Sequence, residues 1–243
     1  NEFTKINNLH RKIDHYYFTD VLSKTLDSNQ LISTGSSGLG IEIFYTFFET
    51  KKNQRIFLTS GLGSMGYGVP SSIGSCLSNK RKKTILIESD GSFMFNLQEL
   101  STIVSYKLPI KIILLNNSGY ASIRNTHKNY FKKRYVGTGS EDGICYPSFK
   151  NLSKAFNIKY LCIKNRKELT NNLKKYLSKK GSAIIEVLLK KDEILKPKVG
   201  AVLKKNGSII SMPIEDMSPN LKLKDLKKIL KTKLHKNSII LRK

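Results

Sequence analysis

Two polar pairs stand at matching points in this chain of 243 residues. Asp90-Gly91 follows the run Thr84 to Ser89, and Asn116-Asn117 follows the apolar run Ile110 to Leu115. Asn117 lies 27 positions after Asp90. A carboxylate and an amide oxygen that converge on one point suit a hard cation such as Mg²⁺. That ion takes oxygen ligands, accepts few of them from protein, and shares the remainder with phosphate oxygens and water.

The elements that must bring these residues together are readable around them. Thr84 to Ser89 and Ile110 to Leu115 read as strands, and Phe95 to Lys107 between them as a helix. A strand–helix–strand crossover lays its two strands parallel and side by side. Asp90 and Asn117 then fall at the carboxyl ends of neighbouring strands, where open α/β sheets bind ligands. The same alternation runs through the chain. Helices are expected over Tyr16–Leu26, Leu39–Phe48, up to about Leu77, from Tyr120, over Pro147–Phe156 and over Arg166–Leu177. Strands are expected at Leu31–Ser33, Arg55–Leu58, Lys159–Ile163 and Ala183–Leu189. The expected fold is α/β, three layers α/β/α around a mostly parallel central sheet. Residues 1–190 form this domain. Residues 191–243 form a tail, interrupted by Pro197, Pro213 and Pro219, that wraps over the surface on or near the site. Within the tail, Leu223, Leu226, Ile229 and Leu230 recur at helical spacing over Leu221 to Lys233, an amphipathic helix expected to dock on the parent domain.

Gly61-Leu-Gly-Ser-Met-Gly66 lies between a strand and a helix, and Glu88 ends a strand 22 residues after Gly66. One reading is a dinucleotide site of an NAD-type dehydrogenase, with Glu88 on a ribose. The segment does not open the first strand–helix unit, as that fingerprint should, and this reading leaves Asn116-Asn117 without a role. The other reading uses the glycines for close approach of backbone to a flat ring. Ser36 and Ser37, in a strand-to-helix loop, suit either phosphate binding or helix capping. His10, His15, His127 and His235 show no ligand spacing.

Three stretches of text resemble one family. Ser60-Gly-Leu-Gly-Ser-Met-Gly-Tyr-Gly-Val-Pro70, Asp90-Gly-Ser-Phe-Met-Phe-Asn-Leu-Gln-Glu-Leu100 and Leu115-Asn-Asn-Ser-Gly-Tyr120 are similar to the thiamine diphosphate enzymes, in particular acetolactate synthase large subunits. The similarity covers residues 15 to 190, and more weakly the tail around Met212 to Met217. The resemblance implies Mg²⁺ on the Asp90 carboxylate, the Asn117 amide oxygen and the Gly119 carbonyl. It implies a cofactor held by Ser36, Ser37, Gly63, Ser64, Met65, Gly91, Ser92, Asn117, Gly119, Tyr120 and Ala121. In this reading the Gly63 carbonyl meets the aminopyrimidine amine, and Met65 is the apolar wedge beneath the bent cofactor. Gly91, Ser92 and the helix start at Tyr120 face the diphosphate. The family usually has Gly before the aspartate. Here it is Ser89, which is strained only if the position needs a positive φ.

The reaction implied is decarboxylation or carboligation of a 2-oxo acid, as lyase or transferase. In this family the activating glutamate comes from a separate pyrimidine-binding domain, and FAD from a middle domain. Neither is recognisable in residues 1–243, so no catalytic residue is assigned here and FAD enters only through a missing domain. With Asn1 in first place, a fragment or one half of a split enzyme is expected, working as a homo-oligomer with the pyrimidine-binding domain on the same longer chain or on a partner subunit.

Composition bounds the rest. The chain is 39% hydrophobic and 25% charged, ordinary for a globular protein. No run approaches a membrane span, and three scattered cysteines read as reduced thiols, so a cytoplasmic protein with no membrane partner is expected. The net charge of +25 admits a nucleic-acid-binding module. The lysines are dispersed from Lys5 to Lys243 without interleaved aromatics, which favours solvated faces and no nucleic-acid partner.

Overall fold

Six strands form one sheet in the computed structural model, which describes residues 12–35, 38–59 and 61–242. They are β1 (Leu31–Thr34), β2 (Arg55–Phe57), β3 (Thr84–Ser89), β4 (Ile110–Asn116), β5 (Lys159–Ile163) and β6 (Ala183–Leu188). Their spatial order is β2-β1-β3-β4-β6-β5, and every neighbouring pair is parallel. The helices between them are α1 (His15–Thr25), α2 (Leu39–Phe47), α3 (Gly68–Ser78), α4 (Asp90–Phe93), α5 (Glu99–Ser105), α6 (Ala121–Tyr130), α7 (Phe149–Ala155) and α8 (Arg166–Ser178). The expected three-layer α/β/α architecture is what the chain adopts.

The layers follow from side-chain alternation along buried strands. Ile85 and Ile87 of β3, Ile113 and Leu115 of β4, and Ile185 and Val187 of β6 pack in one core with Phe18, Leu22, Ile41, Phe44, Leu169 and Leu173 from α1, α2 and α8. Leu86, Ile112, Leu114 and Ile184, the residues between them, join Val69, Ile73, Leu100, Ile103 and Phe149 from α3, α5 and α7 on the other face. Caps fix where helices start. The Asp14 carboxylate accepts from the Tyr17 N–H at 2.8 Å, and Asn165 accepts from the Glu168 N–H at 2.9 Å. Buried Arg166 donates to Asp14, which joins the starts of α1 and α8.

Four expectations are corrected. The helix expected over Phe95–Lys107 begins at Asp90 and is broken: α4, then a 3₁₀ turn at Met94–Asn96, then α5. The chain leaves β3 directly into helical geometry because Ser89 is the cap residue, with φ −85°. Pro147 precedes the cap residue Ser148, so α7 starts at Phe149 and not at the proline. The amphipathic helix of the tail is shorter, α9 (Leu223–Leu230), closed by Lys231 in the left-handed region, and Leu226 is its buried residue. The tail also holds a hairpin, β7 (Ala201–Leu203) with β8 (Ile209–Ser211), where none was expected. Asn206-Gly207 at its turn is the sequence signal for it. A short helix α10 (Lys236–Ile240) ends the chain.

By packing, the chain divides into two compact units, one ending at Glu193 and one beginning at Ile194. In the second unit, buried Asp216 accepts from Arg242 at 2.9 Å. Among the described residues no helix is long and apolar enough to cross a membrane, and Cys76, Cys145 and Cys162 are free thiols.

Candidate cofactor and metal site

β3 and β4 are adjacent and in register, Ser89 opposite Leu115. Their carboxyl ends therefore deliver Asp90 and Asn117 to the same edge of the sheet. Asp90 is 1% exposed and Asn117 6%. The Asp90 carboxylate accepts from the Gly119 N–H at 2.9 Å and from the Gly91 N–H at 2.8 Å. Burial pushes this carboxyl up to about 6, although the N–H groups of Gly119 and Gly91 and the nearby Arg124 favour its ionised form. Asn116, the other asparagine of the pair, is used structurally: its amide donates to Glu186 at 2.5 Å and accepts from the Ser118 N–H at 3.0 Å.

A cavity of about 170 Å³ opens here. Of the residues singled out from the sequence, Met65, Asp90, Gly91, Ser92, Asn117, Gly119, Tyr120 and Ala121 line it. Gly38, Leu39, Ser89, Ser122 and Ile123 complete the lining. Gly63 and Ser64 belong to the same loop as Met65 but not to the cavity wall, and Ser36 and Ser37 lie outside the described residues. Met65 is 41% exposed, so it is no core residue. Ser89, with its φ of −85°, is unstrained; the serine in place of glycine costs no backbone strain. Gly91 is required by close approach: a Cβ there would come within 2.2 Å of the Tyr120 ring and 2.7 Å of the Tyr146 hydroxyl.

Two polar groups expected to face phosphate are already engaged within the chain. The Gly91 N–H is given to Asp90, and the Ser92 hydroxyl accepts from the Gly66 N–H at 2.9 Å. The Asn96 amide donates to the Gly66 carbonyl at 2.8 Å. Ser92 and Asn96 thus clasp the glycine-rich loop onto the start of α4, a link that the sequence motifs do not reveal.

Glu88 corrects the dinucleotide reading. It is fully buried, packed where Gly35 and Gly68 carry no side chains. Burial pushes its carboxyl up to about 7, against the Ser92 hydroxyl and the Ser89 N–H, which favour the ionised form. A ribose cannot reach it. The Gly61 to Gly66 segment also follows β2, an edge strand of the sheet, rather than the first strand of a dinucleotide unit. An acidic residue inside an apolar strand run was the visible signal that Glu88 is special; its partners were not legible.

Larger hollows exist elsewhere in this unit, one of about 610 Å³ beside Arg55 and Tyr67 and one of about 320 Å³ beside Tyr160 and Glu186. Neither contains Asp90 or Asn117, the oxygen donors that make the smaller cavity the candidate site. The donor set there fits a magnesium ion that shares phosphate oxygens, which needs only one or two carboxylates from the protein. Among the described residues no group of three or more His, Cys, Asp or Glu forms a caged metal centre.

A parallel sheet with a cavity outside the carboxyl ends of its central strands, where Asp90 and Asn117 meet an otherwise largely apolar lining, defines a cofactor-binding α/β domain. The chain belongs to the thiamine pyrophosphate enzymes: the family described as "Thiamine pyrophosphate enzyme, C-terminal TPP binding domain" matches residues 35–187. It is 33% identical over 161 residues to the acetolactate synthase large subunit of Porphyra purpurea, covering 66% of this chain and 27% of that protein. It is 31% identical over 190 residues to acetolactate synthase of Arthrospira platensis, covering 78% of this chain and 30% of that protein. The chain thus spans under a third of the length of these relatives. Its fold is similar to that of a Rhodococcus jostii RHA1 thiamine diphosphate-dependent 4-hydroxybenzoylformate decarboxylase, with a TM-score of 0.64 at 21% identity over 75% of this chain and 34% of that one.

Proposed function

We propose that this chain is the diphosphate- and Mg²⁺-holding part of a thiamine diphosphate enzyme that acts on a 2-oxo acid by decarboxylation, carboligation or both. The observation that carries the reading is the convergence of the Asp90 carboxylate with Asn117 and Gly119 from the adjacent strand end in one cavity. In this reading the Asp90 carboxylate, the Asn117 amide oxygen and the Gly119 carbonyl hold the metal. Tyr120 and Ala121, which line the cavity at the start of α6, lie beside the diphosphate through their side chains, their N–H groups being given to the carbonyls of Thr138 and Gly119. Met65 offers an apolar wall to the ring of the cofactor. The bound cofactor supplies an electron sink for the carbanion left by a 2-oxo acid.

The chain's own residues do three things. Asp90, buried and gripped by two N–H groups, fixes a negative charge where the metal arrives. Gly91 lets Tyr120 close over the start of α4. Leu39, Met65 and Ile123 give part of the cavity an apolar lining. A site that buries a whole small molecule usually has about 300–1,000 Å³, and this cavity has about 170 Å³. That shortfall supports a shared site, in which a separate pyrimidine-binding domain, on the same longer chain or in a homo-oligomer, supplies the rest and the activating glutamate. Leu62, at 91% exposure, and Phe95, at 55%, add exposed apolar surface beside the glycine-rich loop for such a domain to cover.

Calorimetry on the full-length protein tests the assignment. Thiamine diphosphate is expected to bind only with Mg²⁺ present, and Asp90→Ala to abolish that binding. Unchanged affinity in Asp90→Ala would sink the metal assignment.

A further inference from the structure

Arg124 lies in the first turns of α6 and is 6% exposed, although it carries a charge. Its guanidinium makes five hydrogen bonds. Nη2 donates to the carbonyls of Asn117 at 3.0 Å and Lys191 at 2.6 Å. Nη1 donates to the carbonyls of Ser118 at 3.2 Å and Thr138 at 2.9 Å. Nε donates to the Asp192 carboxylate at 3.2 Å. Arginine has five N–H donors in a rigid planar fork, and here every one has an acceptor. Four of the five acceptors are main-chain carbonyls. The single anion among them, Asp192, is 70% exposed, and the buried Asp90 carboxylate, close enough for the guanidinium to favour its ionised form, is not hydrogen-bonded to it.

From these contacts we infer that Arg124 is a positioning residue for the candidate metal loop; the inference rests on Asp90, Asn117 and Gly119 being the metal-holding group. The loop has an unusual backbone. Ser118 has φ +61° and Gly119 φ +119°, two successive residues in conformations that favour glycine. Nothing in the serine side chain selects that geometry. The Asn116 side chain holds the Ser118 N–H at 3.0 Å, and Arg124 holds the carbonyls of Asn117 and Ser118 on the other side of the turn. With those two carbonyls held by the guanidinium, the Gly119 N–H turns to Asp90 Oδ2 at 2.9 Å and the Tyr120 N–H to the Thr138 carbonyl at 2.8 Å. The fork also reaches the 138 loop and the Lys191-Asp192 segment, so the metal loop is braced from two further points of the chain. The device works by geometry. Lysine has a compact ammonium with three donors and cannot serve five acceptors.

The test uses the full-length protein with Mn²⁺ in place of Mg²⁺, titrated in the presence of thiamine diphosphate and followed by electron paramagnetic resonance. Arg124→Met and Arg124→Lys are compared with the wild type. Both are expected to weaken Mn²⁺ binding by about 10–100-fold, the usual loss when a group that orients metal ligands is removed. Amide hydrogen exchange on the same proteins should speed up at Gly119 and Tyr120 while β3 and β4 stay protected. Turnover of Arg124→Lys should recover when the metal is raised to saturation. If Arg124→Met does not fold, Arg124→Lys, which keeps charge and stem, carries the same measurements. Wild-type affinity in the variants, full rescue by lysine, or exchange that rises evenly through β4 and β6 would overturn the inference. A wild-type protein that binds the cofactor without any metal dependence would overturn the metal reading itself, before a variant is made.

Discussion

Met65 shares a cavity wall with Asp90 yet belongs to no core cluster and is 41% exposed. Its proposed role is steric: an apolar surface against a ring. Met65→Leu keeps most of the volume and is expected to cost at most about 1.5 kcal/mol in packing terms. Met65→Ala is expected to lower kcat while leaving Mg²⁺ affinity as it was, because Asp90, Asn117 and Gly119 are untouched. Turnover and metal titration on the two full-length variants check this; full turnover in Met65→Ala would leave Met65 without a role in the reaction. Ser89 gives the opposite lesson at the same scale. A residue that looks out of place in a motif is unremarkable once its φ is known to be −85°.

At the scale of the element, β4 carries a liability at its amino end, far along the strand from the site. Lys111 is 1% exposed and donates to the Gly181 carbonyl at 2.6 Å. Burial, helped by Lys159, Lys83 and Lys179, pulls its amine down to about 8. Unfolded, a lysine titrates near about 10.4. Below pH 8 both states are protonated and the full penalty of burying the charge is present. Between those values the folded state has lost its proton and the unfolded state has not, so stability rises with pH. Chemical denaturation of wild type and Lys111→Met should therefore show the difference between them changing by about 1–3 kcal/mol in favour of the wild type from pH 7.5 to pH 10. A constant difference would show that Lys111 keeps its charge when folded. The strand's other end contrasts with this: there the chain turns through Asn116 and Asn117 into the loop that Arg124 holds.

The whole molecule is a body of parallel sheet followed by a second unit from Ile194, and its matched stretches cover 27% and 30% of the length of the two acetolactate synthases compared. The small cavity and the exposed Leu62 and Phe95 fit a site that another domain completes. Chain 1–243 by itself, supplied with thiamine diphosphate, Mg²⁺ and pyruvate, is accordingly expected to release no CO₂ above background. Release at roughly 1–10³ s⁻¹, the ordinary range for enzymes, would mean that the chain contains its own activating base. Adding the pyrimidine-binding domain should restore activity.

The sequence by itself determined the alternation of strands and helices, because burial on both faces of a parallel sheet forces runs such as Thr84-Ile-Leu-Ile and Ile110-Lys-Ile-Ile-Leu-Leu that few other structures need. It also pointed to Asp90 and Asn117 as a pair, since each lies just past the end of such a strand and consecutive strands joined by a crossover are most often neighbours. Only the tertiary structure decided the rest. It put β1 between β2 and β3, and β6 between β4 and β5. It started a helix at Asp90 without a linker, sealed Glu88 away from any ligand, and spent the Ser92 hydroxyl on Gly66. It gave Arg124 acceptors 7, 14 and 67 residues distant along the chain. Periodicity and turn chemistry act over a few residues and can be read in one dimension. A buried donor chooses its acceptor by distance in space, which folding alone establishes.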